Sequence, residues 1–244
     1  MTERLKSRAA GRAAARPSKS GETRRDDARN GDSRARWKQN PEAVQANILR
    51  VAQEEFAKNG LSGARVDEIA ARTETSKRMI YYYFGDKEGL YRRVLEAAYR
   101  EVRAGERELD LEGLAPEAAL RRLVEFTFDH HHRHPDFIRL VMIENIHHGH
   151  YLRQSALIRD LNSGAIEHLE RVLDRGRRAG VFRADADPLV VHWQISALSF
   201  FNVSNAATFS VIFGDRLARP AGQKLLRRWV AETVLNSILV NPKA

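Results

Sequence analysis

The sequence predicts an all-α protein built as a small three-helix helix-turn-helix unit followed by a larger helical unit. Two observations lead there. Apolar residues recur at i, i+3 and i+4 through most of the chain after residue 41. Two short periodic segments are separated by only three residues, Thr73-Glu74-Thr75, a spacing that suits two helices joined by a tight turn. At 244 residues the chain can hold a small domain joined to a larger one. The divisions read from it are 1–40, an arm expected to be disordered, then 41–103 and 104–240.

Composition narrows the chemistry. The chain has no cysteine, which removes disulfide frameworks, thiolate metal sites and cysteine nucleophiles and fits a reducing cytoplasm. No run of about 18 apolar residues occurs: the stretch from Leu189 to Val203 is interrupted by His192, Gln194 and Asn202, so a soluble protein without a membrane partner is expected. The net charge of +9 is uneven, because residues 1–40 hold twelve Lys/Arg against five Asp/Glu. Such a polar arm cannot bury enough surface to offset its ordering entropy. Its cations suit tracking of nucleic-acid phosphates, and they suit a solubilising tail equally.

The first helix opens at Pro41-Glu42, carries Ile48, Val51, Ala52, Glu55 and Phe56 on one stripe, and ends at Asn59-Gly60. A second, short helix places Val66, Ile69 and Ala70 on one face. Ser76 then caps a third helix to Phe84, whose side chains divide at 100° per residue. Met79, Ile80, Tyr83 and Phe84 point one way; Lys77, Arg78, Tyr81 and Tyr82 point the other. A buried helix has no use for two cations and two phenols opposite its apolar stripe, whereas a helix in a major groove needs donors for phosphates and base edges. Asp86 caps a fourth helix through Lys87, Leu90, Val94, Leu95 and Ala98, and its first turn can offer amides and Lys87 to a phosphate.

With the segments ILRVAQEEFAKNG, ARVDEIAA, SKRMIYYYF and GDKEGLY in this order, residues 47–95 resemble the DNA-binding domain of TetR-family regulators. The resemblance covers about a fifth of the chain. It implies phosphate contacts from Lys77, Tyr81 and Lys87 and base or mixed contacts from Arg78 and Tyr82, on a palindromic double-stranded operator. Three positions depart from the family pattern. Arg65 stands where a small hydroxyl cap is usual, Arg78 replaces a commonly small residue, and Thr73-Glu74-Thr75 replaces Ala-Gly-Val. Glu74 would then have to adopt the left-handed conformation that glycine takes, at about 1 kcal/mol. Arg65 and Arg78 can compensate with added groove or phosphate contacts, Arg78 by bidentate pairing with guanine.

From Pro116 the pattern stays helical. Leu120, Leu123, Val124, Thr127 and Phe128 form one stripe, Phe137, Leu140, Val141 and Glu144 a second, and Ile166, Leu169, Val172 and Leu173 a third, with turns at His134-Pro135, near Gly149 and at Gly180. Asp187-Pro188 opens an apolar segment through Trp193, Phe200 and Val203, and Leu225 to Ile238 form the last helix. The resemblance implies a homodimer through the last two helices; closing the domain's own core is the alternative use of the same surface.

Histidines cluster before both turns, as His130, His131, His132 and His134 and again as His147, His148 and His150. A metal site from His131, Glu144 and His148 is conceivable, but no metalloenzyme signature is present and no cofactor is expected. A chamber for a small-molecule effector fits better, lined by Phe128, His131, Phe137, Val141, Glu144, Asn145, His148, Trp193 and Phe200. Histidine donors there suit a small aromatic or heterocyclic acid. The expected function is a repressor released from its operator by that effector, not an enzyme. An effector-independent or activating DNA-binding protein is the alternative, and a histidine-dependent metalloenzyme ranks last.

Overall fold

The computed structural model describes residues 40–242. Residues 40–44 belong to a unit of their own that begins the first helix, where Asn40 Oδ1 accepts the Ala43 N–H at 3.0 Å. The basic arm of residues 1–39 lies outside the described residues. Gln45 opens the second unit, which carries the remainder of the fold.

Ten α-helices and two short 3₁₀ turns make up the described chain, and its one β-like feature is an antiparallel bridge between Phe182 and Leu239. Helix α1 spans Pro41–Gly63, α2 Val66–Arg72, α3 Lys77–Phe84 and α4 Lys87–Arg107. The larger half contains α5 (Pro116–Arg133), α6 (Pro135–Ile146), α7 (Ala156–Arg178), α8 (Pro188–Ser204), α9 (Ala206–Phe213) and α10 (Pro220–Ile238). The boundary expected at residue 103 falls inside α4, which continues unbroken to Arg107.

Each N-terminal helix follows from its local chemistry. Gly60 breaks α1 with φ 70° and ψ 173°, as Asn59-Gly60 predicts, because glycine alone takes that backbone without strain. Ser76 Oγ accepts the Met79 N–H at 3.2 Å and Asp86 Oδ1 accepts the Gly89 N–H at 2.6 Å, so both expected caps form. Ile48, Val51, Ala52, Phe56, Ile69, Ile80, Leu90, Tyr91 and Val94 are all buried. Phe56 meets Tyr91 edge to face at 5.1 Å, locking α1 to α4.

In the larger half Leu120, Val124, Phe128, Leu169, Leu173, Phe182, Val191, Ile195, Val230, Val234 and Leu235 share one core. Polar ties orient the last helices around it. Asn202 on α8 and Gln223 on α10 exchange amide hydrogen bonds of 2.9 and 3.1 Å, and Arg227 on α10 grips Asp129 on α5 at 2.9 and 3.0 Å. Helix α9 is an element that the sequence pattern did not announce. It separates the two long helices α8 and α10, so the pair expected to dimerise is not consecutive. Among the described residues no single helix is long and apolar enough to cross a membrane; α8 and α9 together pass that length and composition, with a bend of 65° between them.

Phe182 folds back across α7 so closely that a Cβ on Gly176 would lie 1.9 Å from its ring. Gly176→Ala must therefore push a core aromatic, and overpacking of that kind costs about 1–3 kcal/mol. A lowered urea midpoint is expected. An unchanged midpoint would show that Phe182 is not seated there.

Candidate nucleic-acid interface and interior polar nest

Helix α3 buries Ile80 and Phe84 and leaves Lys77, Arg78, Tyr81 and Tyr82 exposed, the last at 73%. The two-faced division expected from the sequence is what the backbone produces. Lys77 Nζ reaches Asp67 of α2 at 3.2 Å and Lys87 Nζ donates to the Ser62 carbonyl at 3.2 Å, so both ammonium groups are pre-positioned near the surface. Arg78 makes no hydrogen bond or ion pair among the described residues. It lies on the exposed face of α3.

The turn before α3 accommodates one departure from the family pattern, Thr73-Glu74-Thr75. Glu74 sits at φ 52°, the left-handed conformation expected of it. Thr73 steadies the turn: its Oγ1 donates to the Ile69 carbonyl at 2.7 Å, and the Thr75 N–H reaches Ala70 O at 3.0 Å.

Another departure, Arg65, is accommodated by a residue whose role sequence reasoning missed. Arg65 is extended at the N-terminus of α2 and provides no side-chain cap. Its backbone N–H instead donates to Oε1 of Glu55 at 3.1 Å, and the same oxygen accepts from Asn59 Nδ2 at 2.9 Å. Glu55 is buried on α1, so an acid from the preceding helix performs the reach-back that a capping box performs within one helix. A carboxylate at an apolar position of the α1 stripe was the available signal. The Arg65 side chain remains exposed beside Glu68, at 3.6 Å, free to turn toward a phosphate.

The nine residues expected to line an effector chamber are dispersed. Phe128, His131, Phe137 and Glu144 are buried, Val141 and Phe200 are half-buried, and Asn145, His148 and Trp193 are exposed. Asn145 and His148 end up outside because α6 stops at Ile146 and His148 takes φ 56° to reverse the chain. Glu144 is occupied structurally: its Oε2 accepts the N–H groups of Tyr151 and Leu152 at 3.2 and 3.1 Å. It also faces Tyr91, whose phenol is raised by burial and by this carboxylate. Among the described residues no three His, Asp or Glu side chains gather in a metal-ligand arrangement, and His131, Glu144 and His148 do not meet.

An interior polar nest forms elsewhere, between α4, α5, α7 and α8. A cavity of about 10 Å³ is lined by Arg103, Glu106, Leu123, Thr127, Ala165, His168, His192 and Ile195. Arg103 pairs with Glu106, gives Nη2 to Asn162 Oδ1 at 2.8 Å, and keeps a buried Nε without an acceptor. His192, not Trp193, faces inward; one residue along a helix is a turn of 100°. A larger cleft of about 270 Å³ opens on α7 among Glu112, His168, Arg171, Val172, Asp174, Arg175 and Arg178.

Three histidines are held neutral here. Burial lowers His130 to about 3, helped by His134, His131 and nearby arginines; burial and Arg103 lower His131 and His192 to about 4. The unfolded chain, whose histidines titrate near 6.5, takes up protons first as the pH falls. Stability is therefore full above about pH 6.5 and drains below it, by up to about 1.4 kcal/mol per pH unit for each histidine. The thermal midpoint is expected to fall steeply between pH 6.5 and 5, and less steeply in His130→Phe. Identical slopes for the two proteins would contradict a neutral buried His130.

Comparison with known proteins agrees with this geometry. Residues 48–94 match the family described as bacterial regulatory proteins, tetR family, and residues 116–234 match the Tetracyclin repressor-like C-terminal domain. The HTH-type transcriptional repressor NicS of Pseudomonas putida is 37% identical over 180 residues, 74% of this chain and 85% of the relative. The repressor SCO4008 of Streptomyces coelicolor is 34% identical over 134 residues, 49% of this chain and 65% of the relative. The fold is shared with a TetR family transcription regulator from Marinobacter aquaeolei, with TM-score 0.65 and 16% identity over 83% of this chain and 98% of that one. It is also shared with Bacillus subtilis FadR, solved with stearoyl-CoA, with TM-score 0.60 and 19% identity over 79% and 98%. With a helix-turn-helix that presents a cationic, aromatic face and a relative matched along most of its length, the chain belongs to the TetR family of DNA-binding transcriptional regulators.

Proposed function

We propose that the chain acts as a homodimeric repressor on a two-fold symmetric operator and is released from it by a small molecule bound among α4, α5, α7 and α8. The observation that carries the DNA side is the exposed α3 face, where Arg78 stands unengaged beside Tyr81, Tyr82 and a pre-positioned Lys77. Lys87 supplies a phosphate contact from the first turn of α4, and Arg65 a further one at the start of α2.

An exposed apolar surface supports the dimer. Leu189, Val190, Trp193 and Phe201 on α8, Val211, Ile212 and Phe213 on α9, and Trp229 on α10 all lie open to solvent. So many large apolar side chains left exposed mark an interface, and a two-fold dimer would set two α3 helices about 34 Å apart, one turn of DNA. Trp193, expected in the chamber, belongs to this surface.

The water-sized interior cavity favours a second reading, an effector-independent DNA-binding protein with a closed helical half. Against it stands the buried Arg103 Nε, which faces that cavity and has no protein acceptor among the described residues.

Selection of duplexes from a random library by the full chain tests the first reading. Enriched sites with two-fold symmetry are expected; no sequence preference would overturn it. On a panel of point-mutated sites, Arg78→Ala should change which base is preferred at one position per half-site, at about 1–3 kcal/mol for the lost contact. Lys87→Ala should weaken all sites alike and flatten the salt dependence. Equal, sequence-blind losses from both variants would contradict base reading by Arg78.

A further inference from the structure

We propose that a small organic carboxylate enters the C-terminal half through the arginine-lined cleft on α7, passes His168, and docks on Arg103; this rests on the effector-responsive reading above. The cleft of about 270 Å³ and the interior cavity of about 10 Å³ share one lining residue, His168 on α7. It is half-buried, so a change of its rotamer joins the two spaces with little loss of packing. The interior alone admits about one water. A ligand therefore needs both spaces, and His168 is the side chain that divides them.

Charge selects the ligand class. Arg171, Arg175 and Arg178 line the cleft against Glu112 and Asp174, with His168, which burial and Arg171 hold toward the neutral form, at its inner end. Asp174 is engaged by Arg177 at 2.6 Å, and Arg175 is anchored on the carbonyls of Leu111, Glu112 and Leu114. Arg171 and Arg178 make no hydrogen bond or ion pair among the described residues, which leaves a positive mouth that gathers anions.

The interior completes the match. Glu106 and Asn162 occupy the two Nη atoms of Arg103, and its buried Nε, more than nine-tenths shielded with the residue, lacks an acceptor. A carboxylate supplies that acceptor in a charge-assisted bond, and a neutral amide supplies it only weakly. His192 has a ring N–H to offer the second oxygen. Leu123 and Ile195 give an apolar wall for a flat body.

Benzoate and benzamide, alike in shape and different in charge, test this on the full chain by calorimetry and stopped-flow tryptophan fluorescence. One benzoate per chain is expected, with benzamide weaker by about tenfold or more. Arg103→Gln with Glu106→Gln removes the cation without stranding its partner, and should cost benzoate about tenfold or more while leaving the thermal midpoint near that of the parent. Arg171→Glu with Arg178→Glu should slow association, and the slowing should fade at high salt. His168→Trp, which fills the passage between the two spaces, should slow association. Equal affinity for the two probes, no benzoate binding at millimolar concentration, or full affinity in the Arg103 variant would overturn the proposal. The same preparations are titrated onto the selected duplex. Retained DNA binding alongside any of those results sinks the acid route alone, whereas loss of sequence preference in the parent sinks the regulator reading itself.

Discussion

One helix runs unbroken from the helix-turn-helix into the larger half, and the rest of the molecule is built around that constraint. Helix α4 is 21 residues long, about 30 Å. Its first half buries Leu90, Tyr91 and Val94 against the helix-turn-helix, and its last turns bury Val102, Arg103 and Glu106 in the larger half. No flexible linker intervenes. The α3 face and the polar nest are thus joined by one continuous helix, tied along its length by Ser155 Oγ donating to Glu96 at 2.8 Å and Arg92 donating to Gln154 Oε1 at 2.6 Å. Arg103 is therefore carried by the same helix whose first turns pack beside α3.

The reading head was legible because its signals are local. Caps at Ser76 and Asp86, the glycine break at residue 60 and the two faces of α3 each depend on a few neighbouring residues. Even the strain at Glu74 follows from a missing glycine. Glu55 is the exception: its place on the buried stripe was visible, but the Arg65 N–H that it satisfies arrives from ten residues away.

The sensing half was legible only as helices. Helix α8 is apolar on every side, from Leu189 and Trp193 outside to Val191 and Ile195 inside, so periodicity cannot say which face meets the core. Choosing Trp193 over His192 inverted the assignment by one position. The nest itself brings together residues as far apart as Arg103 and Asn162, 59 positions, and no spacing rule reaches that far. Helix α9 follows α8 after Asn205 alone, and its eight residues, AATFSVIF, carry no charged side chain to mark one face from the other.

The claim that α4 transmits the state of the nest to the reading heads can be measured as a distance. The chain has no cysteine, so Ala71→Cys, at an exposed position on α2, carries one spin label per protomer. Dipolar spectroscopy on the dimer, with benzoate binding followed in parallel by calorimetry, should show one narrow distribution on operator DNA and a different one when the nest is occupied. An identical distribution with and without bound benzoate would contradict the account.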